Sequence, residues 1–259
     1  MSEISGNEGL FGANGSKQPF PVLSKGEIHL WTACSVDSND FIAKCHSALT
    51  DLEKSKIDYY KFQDAKNNFV VSQGGLRLLL SAYLDIAPKD LKIGRHNKGK
   101  PFSQDDYSLT YNISNSGNRV VYAISRAGEV GIDLEQIRPL PDLEELIDKN
   151  FTKNEAAYIR KLEEEKLTRF FKFWTVKEGY LKAIGEGMRL TPDSLEFKVE
   201  NGNYKLLEAK GFIEQVDWNT KNVFPADGFV CTLFYSQENA VISDFLAPFP
   251  FIPAGAIRL

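Results

Sequence analysis

Cysteine, histidine and long apolar runs are all scarce in this 259-residue chain, and each scarcity closes off a class of function. The three cysteines, Cys34, Cys45 and Cys231, are odd in number and form no C-x-x-C pair. That argues for a reducing compartment and against a structural zinc site. The three histidines, His29, His46 and His96, have no H-x-x-x-H spacing, so a histidine metal site has little support. There is no G-x-S-x-G elbow and no phosphate loop, and Gly9, Gly12 and Gly15 follow no strand. No uncharged apolar run is long enough to span a bilayer, and the N-terminal stretch has neither a basic n-region nor an apolar h-region. A cytoplasmic protein without a membrane partner is therefore expected. Positive charge is not in excess either. A net charge of −4 with no long basic run speaks against nucleic acid. What remains, 42% hydrophobic and 25% charged, is ordinary for a globular chain of one large domain or two small ones.

Residues 1–25 are rich in Gly, Asn and Ser and read as a flexible extension. "EIHLWTACSV" alternates as a strand does, with helices expected over 38–60 and 64–84. The basic loop "GRHNKGKPF" precedes three strand-like segments, "YSLTYNIS", "NRVVYAIS" and "EVGIDLEQI". After the Pro139/Pro141 break, helices are expected over 142–150, 153–165 and 168–184. Strands dominate the remainder, including "GFIEQVDW" and "DGFVCTLFYS". This order predicts an α+β fold in two parts, with a seam near 126–129. The halves are set at 26–127 and 128–245, with 246–259 as a tail.

Four constellations could carry chemistry. In "VGIDLEQ", strand alternation puts Asp133 and Glu135 on one face, about 7 Å apart, a donor set that suits Mg²⁺. The wet face of a half-buried strand would read the same way. In "FFKFWTVKEGYLKAIGEG", a helical period gathers Phe173, Trp174, Tyr180, Leu181 and Ile184 on one half of the cylinder. Lys177 projects from the middle of that half and Glu178 sits beside it. A charge among aromatics needs a partner, either in a cleft or within the chain. Glu178 and Lys182, four residues apart, could also form a surface pair. In "FTKNEAAYI", Thr152 and Glu155 have capping-box spacing, a role compatible with catalysis. Last come anion contacts: Arg95, His96, Lys98 and Lys100 in the basic loop, the small polar segment "NISNSGN", and Arg77 among leucines.

Taken together, these stations resemble a known family. G-[IV]-D-x-E followed by W-[STC]-x-K-E-[AS]-x-x-K is the pattern of the larger, Sfp-type 4′-phosphopantetheinyl transferases. Here the two pieces are "GIDLE" and "WTVKEGYLK", with Asp133 and Glu178 45 residues apart (178 − 133). "GKP" at 99–101, "YNISNS" at 111–116 and "FTKNE" at 151–155 resemble further stations in the family's order. The resemblance covers roughly residues 25–240. Asn115 stands where histidine is usual and donates a hydrogen bond without positive charge. Gly179 stands where Ala or Ser is usual.

The resemblance implies two similar α+β halves related by a pseudo-two-fold axis, with coenzyme A in the cleft between them. It implies transfer of the 4′-phosphopantetheine arm to a serine of an apo acyl or peptidyl carrier protein, releasing adenosine 3′,5′-bisphosphate. An inactive relative that only binds carrier protein is the alternative. On this resemblance Asp133, Glu135 and Glu178 ligate Mg²⁺ or Mn²⁺, and Glu178 or Glu155 takes the serine proton. Lys177 and Lys182 steady the phosphates. Arg77, Lys100, Pro101, Ser114 and Asn115 are expected against the nucleotide end. An internally duplicated build needs no second subunit to complete the cleft, so a monomer is expected.

Overall fold

The computed structural model describes residues 20–36, 38–185, 190–200, 202–210, 216–223 and 225–247. Residues 1–19 of the expected N-terminal extension lie outside the described residues, as do most of the 246–259 tail and of the "GFIEQVDW" strand, whereas Phe20 and Leu23, inside the bounds set for the extension, pack on the core of the first half.

The first half opens with β1 (Glu27–Cys34), then α1 (Asn39–Ala48), α2 (Asp51–Ser55) and the long α3 (Gln63–Leu84). The helix expected over 38–60 is thus broken. Leu49 is extended, and Thr50 starts a new helix through a capping box with Glu53. The basic loop is a small hairpin of β2 (Ile93–Arg95) and β3 (Pro101–Ser103). β4 (Thr110–Ser116) and β5 (Arg119–Ser125) follow as an antiparallel pair. The second half opens with β6 (Val130–Gln136), α4 (Leu143–Asn150), α5 (Lys153–Ile159) and α6 (Lys166–Ile184). The pair β7 (Leu195–Glu200) and β8 (Asn203–Ala209), then β9 (Asn219–Val223) and β10 (Phe229–Tyr235), complete it.

The halves share one plan. In the first, β5 lies between β1 and β4; in the second, β10 lies between β6 and β9. The fold is α+β with two similar halves. The last strand, β11 (Val241–Leu246), returns to the first half and pairs in parallel with β1.

Three apolar clusters set the layers. The first holds α1 and α3 against one face of the β1–β5–β4 sheet, through Trp31, Leu79 and Tyr122. The second holds α6 against β7 and β10, through Phe173, Tyr180, Phe197 and Phe234. The third lies between the sheets and joins Ile28, Leu30, Val121 and Ala123 to Ile132, Leu134 and Leu233. β1 is consequently buried on both faces, His29 and Trp31 included, where an alternation with outward residues was expected. Among the described residues no helix is long and apolar enough to cross a membrane.

Two glycines let α6 approach its sheet. A Cβ on Gly131 of β6 would lie 2.3 Å from the backbone of Gly179 and Ala183. A Cβ on Gly179 would meet Phe234 and the Thr232 carbonyl at 3.2 Å. Gly179 is thus fitted to its place, and the close approach brings Glu178 and Lys182 beside the carboxylates of β6.

Candidate functional site

Strand alternation on β6 sends Ile132 and Leu134 into the core between the sheets and Asp133 and Glu135 to the other side. That side is not a wet face. Asp133 is 5% exposed. Its Oδ1 accepts from Ser114 Oγ at 2.9 Å and from Lys182 Nζ at 2.6 Å. Its Oδ2 is buried with no hydrogen-bond partner. Burial raises the Asp133 pKa above the ordinary carboxylate value, opposed by the Lys182 ammonium and the Ser114 hydroxyl. Glu135 Oε2 accepts from Ser116 Oγ at 2.7 Å and from Arg138 Nη1 at 3.3 Å. Glu178, half-buried on α6, titrates high first because of burial, then because Asp133 and Glu135 add negative charge around it. Lys182 pairs across to Asp133 rather than back to Glu178. Among the described residues Glu178 has no ion pair of its own.

Three carboxylates against one ammonium, Lys182, and one half-exposed guanidinium, Arg138, with one buried oxygen orphaned, is a surplus of negative charge that fits a divalent cation. Carboxylate oxygens are the donors Mg²⁺ and Mn²⁺ take. The cage is not preassembled, however. Among the described residues no three metal-ligating side chains already stand close enough to share an ion.

Glu178 and Lys182 form one wall of a cleft of about 990 Å³ between the halves. Among the described residues its lining includes six cations, Lys56, Arg77, Arg95, Lys98, Lys100 and Lys182, and two carboxylates, Glu53 and Glu178. Asn112, Ile113 and Pro101 also line it. Lys100 reaches over the C-terminal end of α6, donating to Ala183 O and to Glu129 Oε2, each at 2.6 Å. Arg77 is on the wall, but its Nε is 2.6 Å from Glu53 Oε2 and its Nη1 is 2.7 Å from Pro88 O. Its charge is already engaged. Ser114 lies behind the wall beside Asp133, whereas Asn115 is exposed and outside the lining.

Lys177 and Glu155 are not where the sequence reading put them. Lys177 Nζ is shut inside the second half among Glu155 Oε2 (2.7 Å), Pro192 O (2.7 Å), Leu195 O (2.8 Å) and Asn150 O (3.2 Å). Glu155 also caps α5 through Thr152 N and accepts from Phe197 N. Neither side chain lines the cleft. The lysine's charge is satisfied inside the core, and its neighbour Glu178 alone turns to the cleft.

Two participants escaped the sequence reading. Lys56 lies on the helical turn after α2 and gave no signal beyond its charge. Ser116 did give one: Asn112, Ser114 and Ser116 are spaced i, i+2, i+4, which is one face of a strand.

Comparison with known proteins gives the family. Residues 129–234 match the 4′-phosphopantetheinyl transferase superfamily, and residues 31–127 match the N-terminal part of 4′-phosphopantetheinyl transferases. The chain is 33% identical over 176 residues to the 4′-phosphopantetheinyl transferase HetI of Nostoc sp., covering 66% of this chain and 74% of that one. It is 30% identical over 212 residues to the 4′-phosphopantetheinyl transferase gsp of Aneurinibacillus migulanus, covering 80% and 86%. A mouse L-aminoadipate-semialdehyde dehydrogenase-phosphopantetheinyl transferase is 29% identical over 159 residues, 57% of this chain and 52% of that one.

Proposed function

The chain belongs to the 4′-phosphopantetheinyl transferase superfamily, and from that premise we propose that it moves the phosphopantetheine arm of coenzyme A onto a serine of an apo carrier protein. Adenosine 3′,5′-bisphosphate would be the product released. One observation carries the reading: a cleft between the halves whose described lining bears six cations, with Glu178 and Lys182 on its wall and Asp133 behind them. Several of these cations already meet a carboxylate, Arg77 with Glu53, Lys100 with Glu129 and Lys182 with Asp133, and a cleft with cations so placed suits a molecule with three phosphates.

Asp133, Glu135 and Glu178 would hold Mg²⁺, with Mn²⁺ fitting the same donors. When bound, the ion neutralises charge developing on the phosphate oxygens. Lys182, 31% exposed and already at the cleft wall, would supply a further positive charge there. Lys100 would hold the nucleotide end, with Pro101 shaping the wall beside it. Arg77 would act on that wall through Glu53. Ser114 would act behind the wall through Asp133 and Lys182. Glu178 would take the serine proton, directly or through water. Glu155, held by three donors in the core, is unavailable for that step.

Incubation with apo carrier protein, Mg²⁺ and coenzyme A, read by mass spectrometry, tests the proposal. The carrier should gain one phosphopantetheine. Carrier binding without added mass would replace an enzyme with a binding module.

A further inference from the structure

β4 and β6 are edge strands of different sheets, and no backbone ladder joins them. Side chains take the ladder's place. Asn112 Oδ1, Ser114 Oγ and Ser116 Oγ accept the N–H groups of Ile132, Leu134 and Gln136 at 3.1, 3.2 and 3.1 Å. An amide N–H can only donate, so the direction of these bonds is fixed. A serine that accepts there still has its own hydrogen to give. Ser114 gives it to Asp133 Oδ1 and Ser116 to Glu135 Oε2, at 2.9 and 2.7 Å. Each serine rung therefore pins one oxygen of the carboxylate beside it and leaves the other oxygen uncommitted.

The third rung bears this out by contrast. The residue of β6 that corresponds to Asp133 and Glu135 at the Asn112 rung is Gly131, which has no acid to orient. That rung carries a carboxamide instead of a hydroxyl.

We propose that Ser116 is a positioning residue for Glu135, setting the carboxylate's direction towards a divalent ion. The inference rests on the reading of Asp133, Glu135 and Glu178 as that ion's holders. Ser116 shows the effect more cleanly than Ser114, which is shared with Lys182. The other contact on Glu135, Arg138 at 3.3 Å, comes from a half-exposed side chain and constrains it weakly.

The test is Mn²⁺ titration of the full chain without coenzyme A, followed by electron paramagnetic resonance. Ser116→Ala should weaken Mn²⁺ binding about tenfold, the lower end of the usual loss when a metal ligand's partner is removed. Ser116→Thr keeps the hydroxyl and should restore binding. In a Glu135→Gln background, Ser116→Ala should have no further effect, because the two act through one interaction. A Ser116→Ala protein that melts lower yet binds Mn²⁺ as the wild type does would make the rung purely structural and overturn the inference. Additive losses in the double variant would overturn it too. A wild-type protein that takes up no Mn²⁺ would remove the metal reading itself, and this inference with it.

Discussion

The Lys177 ammonium and the Glu155 carboxylate lie 2.7 Å apart with neither side chain reaching solvent. Among the described residues each is the other's ion-pair partner, Asp193 and Glu196 act on the lysine only from farther off, and backbone groups complete both shells. Removing one partner strands a charge in the core at a cost of about 3–5 kcal/mol. Lys177→Met should lower the stability to denaturant by that order, and the double variant Lys177→Met/Glu155→Gln should lose less than the two single losses added. Transfer per folded molecule should persist in Lys177→Met at temperatures where it stays folded. Normal stability with lost turnover would return Lys177 to the chemistry.

The close contact of α6 with β6 gives a second expectation. A methyl group on Gly131 would press on the backbone of Gly179 and Ala183, which no side-chain rotation can relieve. Gly131→Ala should cost about 1–3 kcal/mol, as overpacking does, and should shift Glu178 and Lys182 away from Asp133. Denaturant unfolding checks the first effect, and a fall in turnover larger than the stability loss explains checks the second.

Why one lysine misled and its neighbour did not is a matter of what a helical wheel contains. The apolar arc of α6 faces both the core of the second half and the edge of the cleft, and periodicity gives the arc without dividing it. Lys177 finds its partner 22 residues earlier (177 − 155), on a different helix. Nothing local encodes that meeting. The alternation of "VGIDLEQ" and the capping box at Thr152 depend only on neighbouring residues, and both were legible. The same T-x-x-E pattern at Thr50 and Glu53 was equally local and explains the helix break that periodicity missed. The seam between β4 and β6 was out of reach because it pairs strands of different sheets.

Asp133 is the acid most committed to its place, and its removal gives the clearest activity test. Asp133→Ala takes away the acceptor of Ser114 and Lys182 but leaves the β6 backbone bonds intact. Transfer should fall by about 10²–10³-fold or more, the scale for losing one preorganised charge-stabilising group, with the circular dichroism spectrum unchanged. Near-normal turnover in Mg²⁺ would sink the metal reading.

Glu178 ties charge, pH and metal together. Its carboxyl protonates more readily in the folded chain than at its ordinary value of 4.5, chiefly because burial disfavours the anion and Asp133 repels it. A group with a raised folded pKa contributes stability that is fully present below the unfolded value and is lost as pH rises through the folded one. At pH 8 the Glu178 anion is therefore a net cost, and Glu178→Gln should melt higher than the wild type there. The difference should shrink as the pH falls and vanish below 4.5, where the carboxyl is protonated in both states. A divalent ion would offset the same repulsion, so Mg²⁺ should raise the melting temperature of the wild type at pH 8 more than that of the variant. Calorimetry at pH 8 with and without Mg²⁺ reads both effects. If Glu178→Gln melts lower than the wild type at pH 8, the carboxylate is a stabilising group, and the surplus of negative charge on which the cation depends is not there.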